Sequence, residues 1–221
     1  MARTIQFPDP HRAPRHGLLG CGGDLSLPVL LAAYDQGIFP WYNAGEPVHW
    51  WSPDPRAVID VASLHISRSL ARRRRQRRFT VTWNRCFRDV MVECGRERRE
   101  GTWILPEMIE AYTAAHYAQA AHSIEVWRED RLVGGLYGIQ RGAAFMAESM
   151  FHRETDASKI ALAEAVETLF ACGIVLFDVQ FLTPHLQSMG AYEIPRAEYL
   201  RRLAEARIQP VDLWKLLAAR C

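Results

Sequence analysis

The sequence predicts an α+β (α/β) fold, and three observations lead there. Residues 122–151 alternate with period two through HSIEVWRED, RLVGGLYGIQRG and AAFMAESMF, the pattern of an antiparallel meander. Residues 156–173, DASKIALAEAVETLFACG, carry the 3.6-residue period of a long helix. Residues 173–181, GIVLFDVQF, then read as one more strand, so a meander, a helix and a strand follow a helical first half.

Taken in order, residues 1–25 read as irregular, with Pro8, Pro10 and Pro14. Residues 24–37 read as a helix capped by Asp24 or Ser26, with Pro28 in its first turn and Gly37 as its stop. Residues 38–60 hold four prolines and the tryptophans Trp41, Trp50 and Trp51, which excludes a regular helix. An ordered aromatic loop is expected there, with short strands at 48–51 and 57–60. Its tryptophans either serve a function or plug the joint between a small N-terminal unit and the main body. A helix over 63–78, a strand over 79–83, a helix over 84–99 ending near Gly95 and a helix over 106–120 follow. The meander turns near Asp130 and at Arg141–Gly142. Asp156 is the candidate cap and Gly173 the stop of the long helix, and residues 195–206 form the last one.

The chain has 221 residues, 49% of them hydrophobic, enough for a large core. Residues 1–17 lack an apolar stretch, and no apolar run approaches the ~20 residues of a membrane span, so neither a secretory signal nor a membrane partner is expected. The five cysteines form an odd set without C-x-x-C spacing. Reduced thiols in a cytoplasmic protein are expected, and a structural zinc site is not. Net charge is +2, yet residues 68–100 hold twelve arginines against four carboxylates, a local balance of +8. Arginine's planar fork suits phosphate, so this segment fits a polyanionic partner, and it fits a solvated helix face equally well.

Two strands that read as buried are each interrupted by carboxylate or amide side chains. Alternation puts Asp178 and Gln180 on one face with Ile174 and Leu176, and Glu148 on one face with Ala144, Met146 and Met150. A buried carboxylate needs a partner, either inside the protein or in a ligand. No G-x-S-x-G, G-x-x-x-x-G-K or H-E-x-x-H occurs, and no glycine lies between Phe151 and Cys172. A coenzyme A pyrophosphate turn is therefore not expected before the long helix.

The stretches GDLSLPVLLAAYDQGIFPWYNAGEPVHWWSPDPRAV, LHISRSL, EGTWI, HSIEVWREDRLVGGLYG, AESMF, and FDVQF followed by HLQSMGAYEIPR resemble the leucyl/phenylalanyl-tRNA–protein transferases, in order from about residue 17 to 202. The resemblance implies a small N-terminal domain, here 1–58, and a C-terminal domain similar to the GNAT acyltransferase fold, here 59–221, with a mostly antiparallel sheet flanked by helices. It implies transfer of Leu or Phe, and less readily Met, from aminoacyl-tRNA to the N-terminal Arg or Lys of proteins, marking them for the N-degron pathway. No metal or organic cofactor is implied, and a monomer is. Around SRSLAR it assigns Arg68 and Arg72 to the tRNA acceptor stem, with Arg75 as neighbour. Tyr34, Trp41, Trp103 and Tyr112 match the aromatic positions around the aminoacyl-adenosine. Leu136, Phe145, Glu148, Leu162 and Phe177 match the wall of the aminoacyl pocket. Ala165 stands where the family pattern has a bulky aromatic, and Phe177 replaces a smaller aliphatic. Asp178 and Gln180 are the expected catalytic pair. Gln180 would orient the nucleophilic amine or the ester. Asp178, with Glu148, would draw off the positive charge of the acceptor, and the sequence leaves Asp178 open as either a general base or an electrostatic partner.

Overall fold

Seven strands and three strands form two separate sheets in the computed structural model, which describes residues 6–96 and 102–219. The three-stranded sheet runs in the order β1-β3-β2 and is antiparallel throughout: β1 (Leu18–Cys21), β2 (Phe39–Pro40) and β3 (His49–Trp51). The strand at 48–51 was expected; β1 and β2 are too short and too rich in Gly or Pro to show alternation. Between them α1 (Leu27–Tyr34) begins after Ser26 with Pro28 in its first turn. The chain then turns at Gly37, φ +73°, where a Cβ would lie 2.7 Å from Leu200 Cδ2, so only glycine fits.

The large sheet runs β10-β4-β9-β8-β7-β6-β5. Its strands are β4 (Arg56–Ile59), β5 (Thr80–Trp83), β6 (Ala121–Arg128), β7 (Arg131–Arg141), β8 (Ala144–His152), β9 (Leu176–Gln180) and β10 (Tyr192–Ile194). All pairings are antiparallel except β8 with β9. That parallel pair is joined by α5 (Ala157–Ala171), because parallel neighbours need a crossover. The result is the mostly antiparallel sheet flanked by helices that the sequence predicts. β4 starts this sheet at Arg56, two residues before position 58.

Helices cover both faces. On one, α1, α3 (Phe87–Arg96), α4 (Pro106–Tyr117) and α7 (Arg196–Ala206) pack Leu30, Tyr34, Val90, Met91, Tyr112, Tyr199 and Leu203 against the sheet. On the other, α5 packs with Leu70 of α2 (Arg68–Arg75) and with Leu213 and Leu217 of α8 (Leu213–Ala218). The helix expected over 63–78 is shorter at both ends. The Ser67 hydroxyl accepts the Leu70 N–H at 3.2 Å and so caps α2, leaving residues 63–67 outside it. Gly95 lies inside α3 and does not end it, and residues 97–99 of the expected helix fall outside the described residues. α6 (Pro184–Ser188), β10 and α8 were not anticipated.

Candidate active site

The site arises where two regular strands lose their regularity. β8 and β9 pair in parallel through Ala144↔Leu176, Phe145↔Phe177 and Met146↔Asp178, and then part. Each carries a bulge just beyond. On β8, Tyr137↔Ser149 is followed by Gly138↔Ala147, so Glu148 is the extra residue. On β9, Val58↔Asp178 is followed by Ala57↔Gln180, so Val179 is the extra residue. A bulge re-aims side chains and often marks a functional edge. Here it moves Met150 to the α5 side, while Glu148 stays with Ala144 and Met146 on the side of Tyr34 and Tyr112. Ile174 precedes β9 and packs on the α5 side, so it does not share a face with Asp178 as alternation predicted.

The gap opens into a cavity of about 430 Å³. Phe39, Pro40, Trp41 and Phe181 form its aromatic side, Glu148, Ser149 and Met150 come from β8, and Val179 and Gln180 from β9. Thr183, His185 and Leu186 close it from α6 and its cap, and Trp103 from the segment before α4. Trp41 is 40% exposed and tilts against Trp51 and Phe181, with ring centroids 5.5 and 5.7 Å away. Trp50 turns inward, donating to the Gly22 carbonyl at 2.9 Å, so it plugs the small sheet.

Behind the cavity lies one continuous polar network. Gln180 Nε2 donates to Glu148 Oε1 at 2.7 Å, and Tyr112 Oη donates to Glu148 Oε2 at 3.3 Å. Tyr34 and Tyr112 share a hydroxyl hydrogen bond of 2.5 Å. Burial pushes the Glu148 carboxyl up to about 7, against the hydrogen bonds it accepts, which favour its charged form. Asp178 is wholly buried. Arg56 grips it with both prongs, Nε to Oδ1 at 2.9 Å and Nη2 to Oδ2 at 2.6 Å. Tyr199 Oη donates to Oδ2 at 2.9 Å and the Gln180 N–H to Oδ1 at 2.8 Å. These four donors match the roughly four acceptor sites of a carboxylate. Asp178 therefore does not wait for a ligand to be its partner; Arg56 fills that place, and Asp178 does not line the cavity.

The expected site residues fall into three groups. Trp41, Trp103, Glu148 and Gln180 meet at the cavity. Tyr34 and Tyr112 are fully buried behind Glu148 as hydrogen-bond partners, with no ring face open for stacking. Leu136, Phe145, Leu162 and Phe177 come together as expected, but as close-packed core under α5 and not as cavity wall. Phe145 and Phe177 touch at 5.2 Å between centroids, and Ala165 packs in the same cluster. Arg68, Arg72 and Arg75 are exposed on α2, one stripe at i, i+4 and i+7. Their neighbours face the other way: Arg73 pairs with Asp156 at 2.9 Å and Arg74 with Glu164 and Glu167 of α5. Sequence reasoning missed Arg56, Tyr199 and His185. Periodicity carries no signal for the first two, which lie 122 and 21 residues from Asp178. His185 lines the cavity with Nε2 buried and unpartnered, and burial lowers its pKa. Among the described residues no group of three or more His, Cys, Asp or Glu side chains is placed to hold a metal ion.

A mixed sheet whose two parallel strands part over an aromatic-walled cleft, fronted by a small three-stranded N-terminal sheet, frames the site. The family model "Leucyl/phenylalanyl-tRNA protein transferase" matches residues 58–204, and that of the N-terminal domain of the same transferase matches 23–54. The chain belongs to the leucyl/phenylalanyl-tRNA protein transferase family. It is 51% identical over 213 residues to the leucyl/phenylalanyl-tRNA–protein transferase of Anaeromyxobacter sp. (strain Fw109-5), covering 95% of this chain and 91% of that one. It is 49% identical over 215 residues to the transferase of the same name from Shigella dysenteriae serotype 1 (strain Sd197), covering 96% and 92%. Among solved structures, L-PGS from Bacillus licheniformis aligns over 72% of this chain and 54% of its own, at 16% identity and a TM-score of 0.39.

Proposed function

We propose that this chain transfers Leu or Phe, and less readily Met, from aminoacyl-tRNA to the N-terminal Arg or Lys of a protein. The observation that carries the reading is the pairing of Glu148 with Gln180 at 2.7 Å on an aromatic-walled cleft, in a member of this family. Trp41 and Trp103 offer the terminal adenosine a stacking surface. Arg68, Arg72 and Arg75 hold acceptor-stem phosphates, which gives affinity without sequence choice and suits an enzyme that accepts several tRNAs. Glu148 counters the side-chain cation of the acceptor. Binding that cation favours the charged carboxylate, so acceptor binding near pH 7 releases a proton.

The chemistry asks little more than positioning. The acceptor's α-amine, with a reference pKa of about 7.7–8.0, has a useful neutral fraction at neutral pH. Its nitrogen attacks the ester carbonyl carbon, the C–N bond forms, and the bond to the ribose oxygen breaks. The proton lost by the amine passes to that oxygen through the neighbouring ribose hydroxyl. Gln180, held by Glu148 through its Nε2, presents its Oε1 to the amine N–H and fixes the line of attack. The enzyme works as a monomer in the cytoplasm and marks its products for the N-degron pathway.

The test is transfer of labelled Leu, Phe or Met from charged tRNA to short peptides. Label is expected on peptides beginning with Arg or Lys, and not on Ala-initiated or Nα-acetylated ones. Binding of uncharged tRNA without label on any peptide would sink the reading and leave an RNA-binding protein.

A further inference from the structure

We infer that Arg56 and Tyr199 are positioning residues for Gln180, acting through Asp178, and that Asp178 serves as a fixed acceptor and not as a base. This rests on the functional reading above.

Gln180 has φ +64°, in the left-handed region that a non-glycine residue adopts at a cost. The Phe181 N–H donates back to the Val179 carbonyl at 2.8 Å, closing a three-residue turn around Gln180. A residue with a Cβ stays there only if its surroundings over-determine it. Two contacts do so. The Gln180 N–H is held by Asp178 Oδ1 at 2.8 Å, and its side chain by Glu148 Oε1 at 2.7 Å. Together they hold the amide in the cavity.

Asp178 is in turn held on all sides. Arg56 and Tyr199 donate to it three times, and the guanidinium lies over the rings of Phe39 and Tyr199, 4.8 and 4.4 Å from their centroids. Arg56 Nη1 also donates to the Gly37 carbonyl at 3.2 Å, tying the network to the turn after α1. With about four acceptor sites filled by four donors, Asp178 has no lone pair left for a substrate proton. Arg56, on β4, thus sets the backbone of a residue on β9 that faces the substrate.

Transfer kinetics of two sets of variants test this. Arg56→Met leaves the Asp178 carboxylate unpaired, and Asp178→Asn sets an amide N–H against the guanidinium. The double variant Arg56→Met/Asp178→Asn removes the charge pair and keeps an oxygen acceptor for the Gln180 N–H. Its kcat should exceed that of either single variant by roughly tenfold or more, the non-additivity expected within one network. If Asp178 were the base, the double variant would be as slow as Asp178→Asn, and that result overturns the inference. Should these variants not fold, a milder cycle decides. Tyr199→Phe should lower kcat roughly threefold to tenfold with KM for Leu-tRNA unchanged. Placed on Gln180→Gly, which adopts the same φ freely and has no amide to aim, Tyr199→Phe should lower it no further. Equal fold-losses in both backgrounds would show a merely structural role and overturn the inference alone. A wild-type protein that transfers nothing overturns the functional reading together with it.

Discussion

Glu148 and His122 are two buried groups whose titrations push stability in opposite directions. The folded Glu148 carboxyl titrates at about 7, against an ordinary value of 4.5. Between those values the folded protein holds a proton that the unfolded chain has released. The stability contributed is fully present below 4.5 and is lost as the pH rises through about 7. His122 is buried between Gln140 and Asn84, and burial lowers it from 6.5 to about 4. Its contribution is present above 6.5 and is lost as the pH falls toward 4. The two slopes oppose each other over the shared window, so the wild-type melting curve alone says little. The difference between wild type and Glu148→Gln isolates the carboxylate. The variant's advantage should grow from near zero at pH 4 to about 1–3 kcal/mol at pH 8. Parallel curves for the two proteins would show that Glu148 does not titrate near neutrality. The same residues mark the limit of reading the sequence. Glu148 and Gln180 are legible as polar interruptions in apolar strands, but the partner of Asp178 is not, because Arg56 lies just before the expected strand at 57–60, where no alternation marks it.

At the scale of single elements, α2 divides its arginines between two faces. Arg73 and Arg74 anchor it to Asp156 and to Glu164 and Glu167, and Arg68, Arg72 and Arg75 face solvent. Arg68→Ala or Arg72→Ala should weaken aminoacyl-tRNA binding and lower the slope of log K against log salt by about 1 each. Arg74→Ala should leave that slope unchanged and lower stability by about 1 kcal/mol or less. A salt slope unaffected by Arg68→Ala and Arg72→Ala would move the tRNA surface elsewhere. Helix α2 was legible as a basic segment, but which of its arginines are ion-paired was not, since their carboxylates lie far along the chain. The meander and α5 were legible because they are long and strictly periodic. The bulges at Glu148 and Val179 were not, because one extra residue leaves composition unchanged and only shifts the faces beyond it. β10, α6 and α8 are too short to carry a periodic signal.

Across the whole molecule, the site is assembled from distant parts of the chain. β4 comes from the first third and inserts next to β9, bringing Arg56 to Asp178. α1 brings Tyr34 to Tyr112 of α4, and through them to Glu148. The pair of Arg141 with Asp35, two bonds of 2.7 Å, ties the end of β7 to the end of α1. Arg196 at the start of α7 donates to the carbonyls of Ala13, Pro14 and Ser52 and so fastens the N-terminal segment. The N-terminal unit is thereby part of the wall of the cleft, which explains why its aromatic loop keeps Phe39 and Trp41 beside β9. The proposed function puts aminoacyl-adenosine in the gap where β8 and β9 part. The most direct measurement is amide hydrogen exchange with and without a non-hydrolysable phenylalanyl-adenosine amide. Slower exchange is predicted at 147–151 and 179–186 and in the loop around Trp41. Slowing confined to other segments, or none at saturating ligand, would contradict the account.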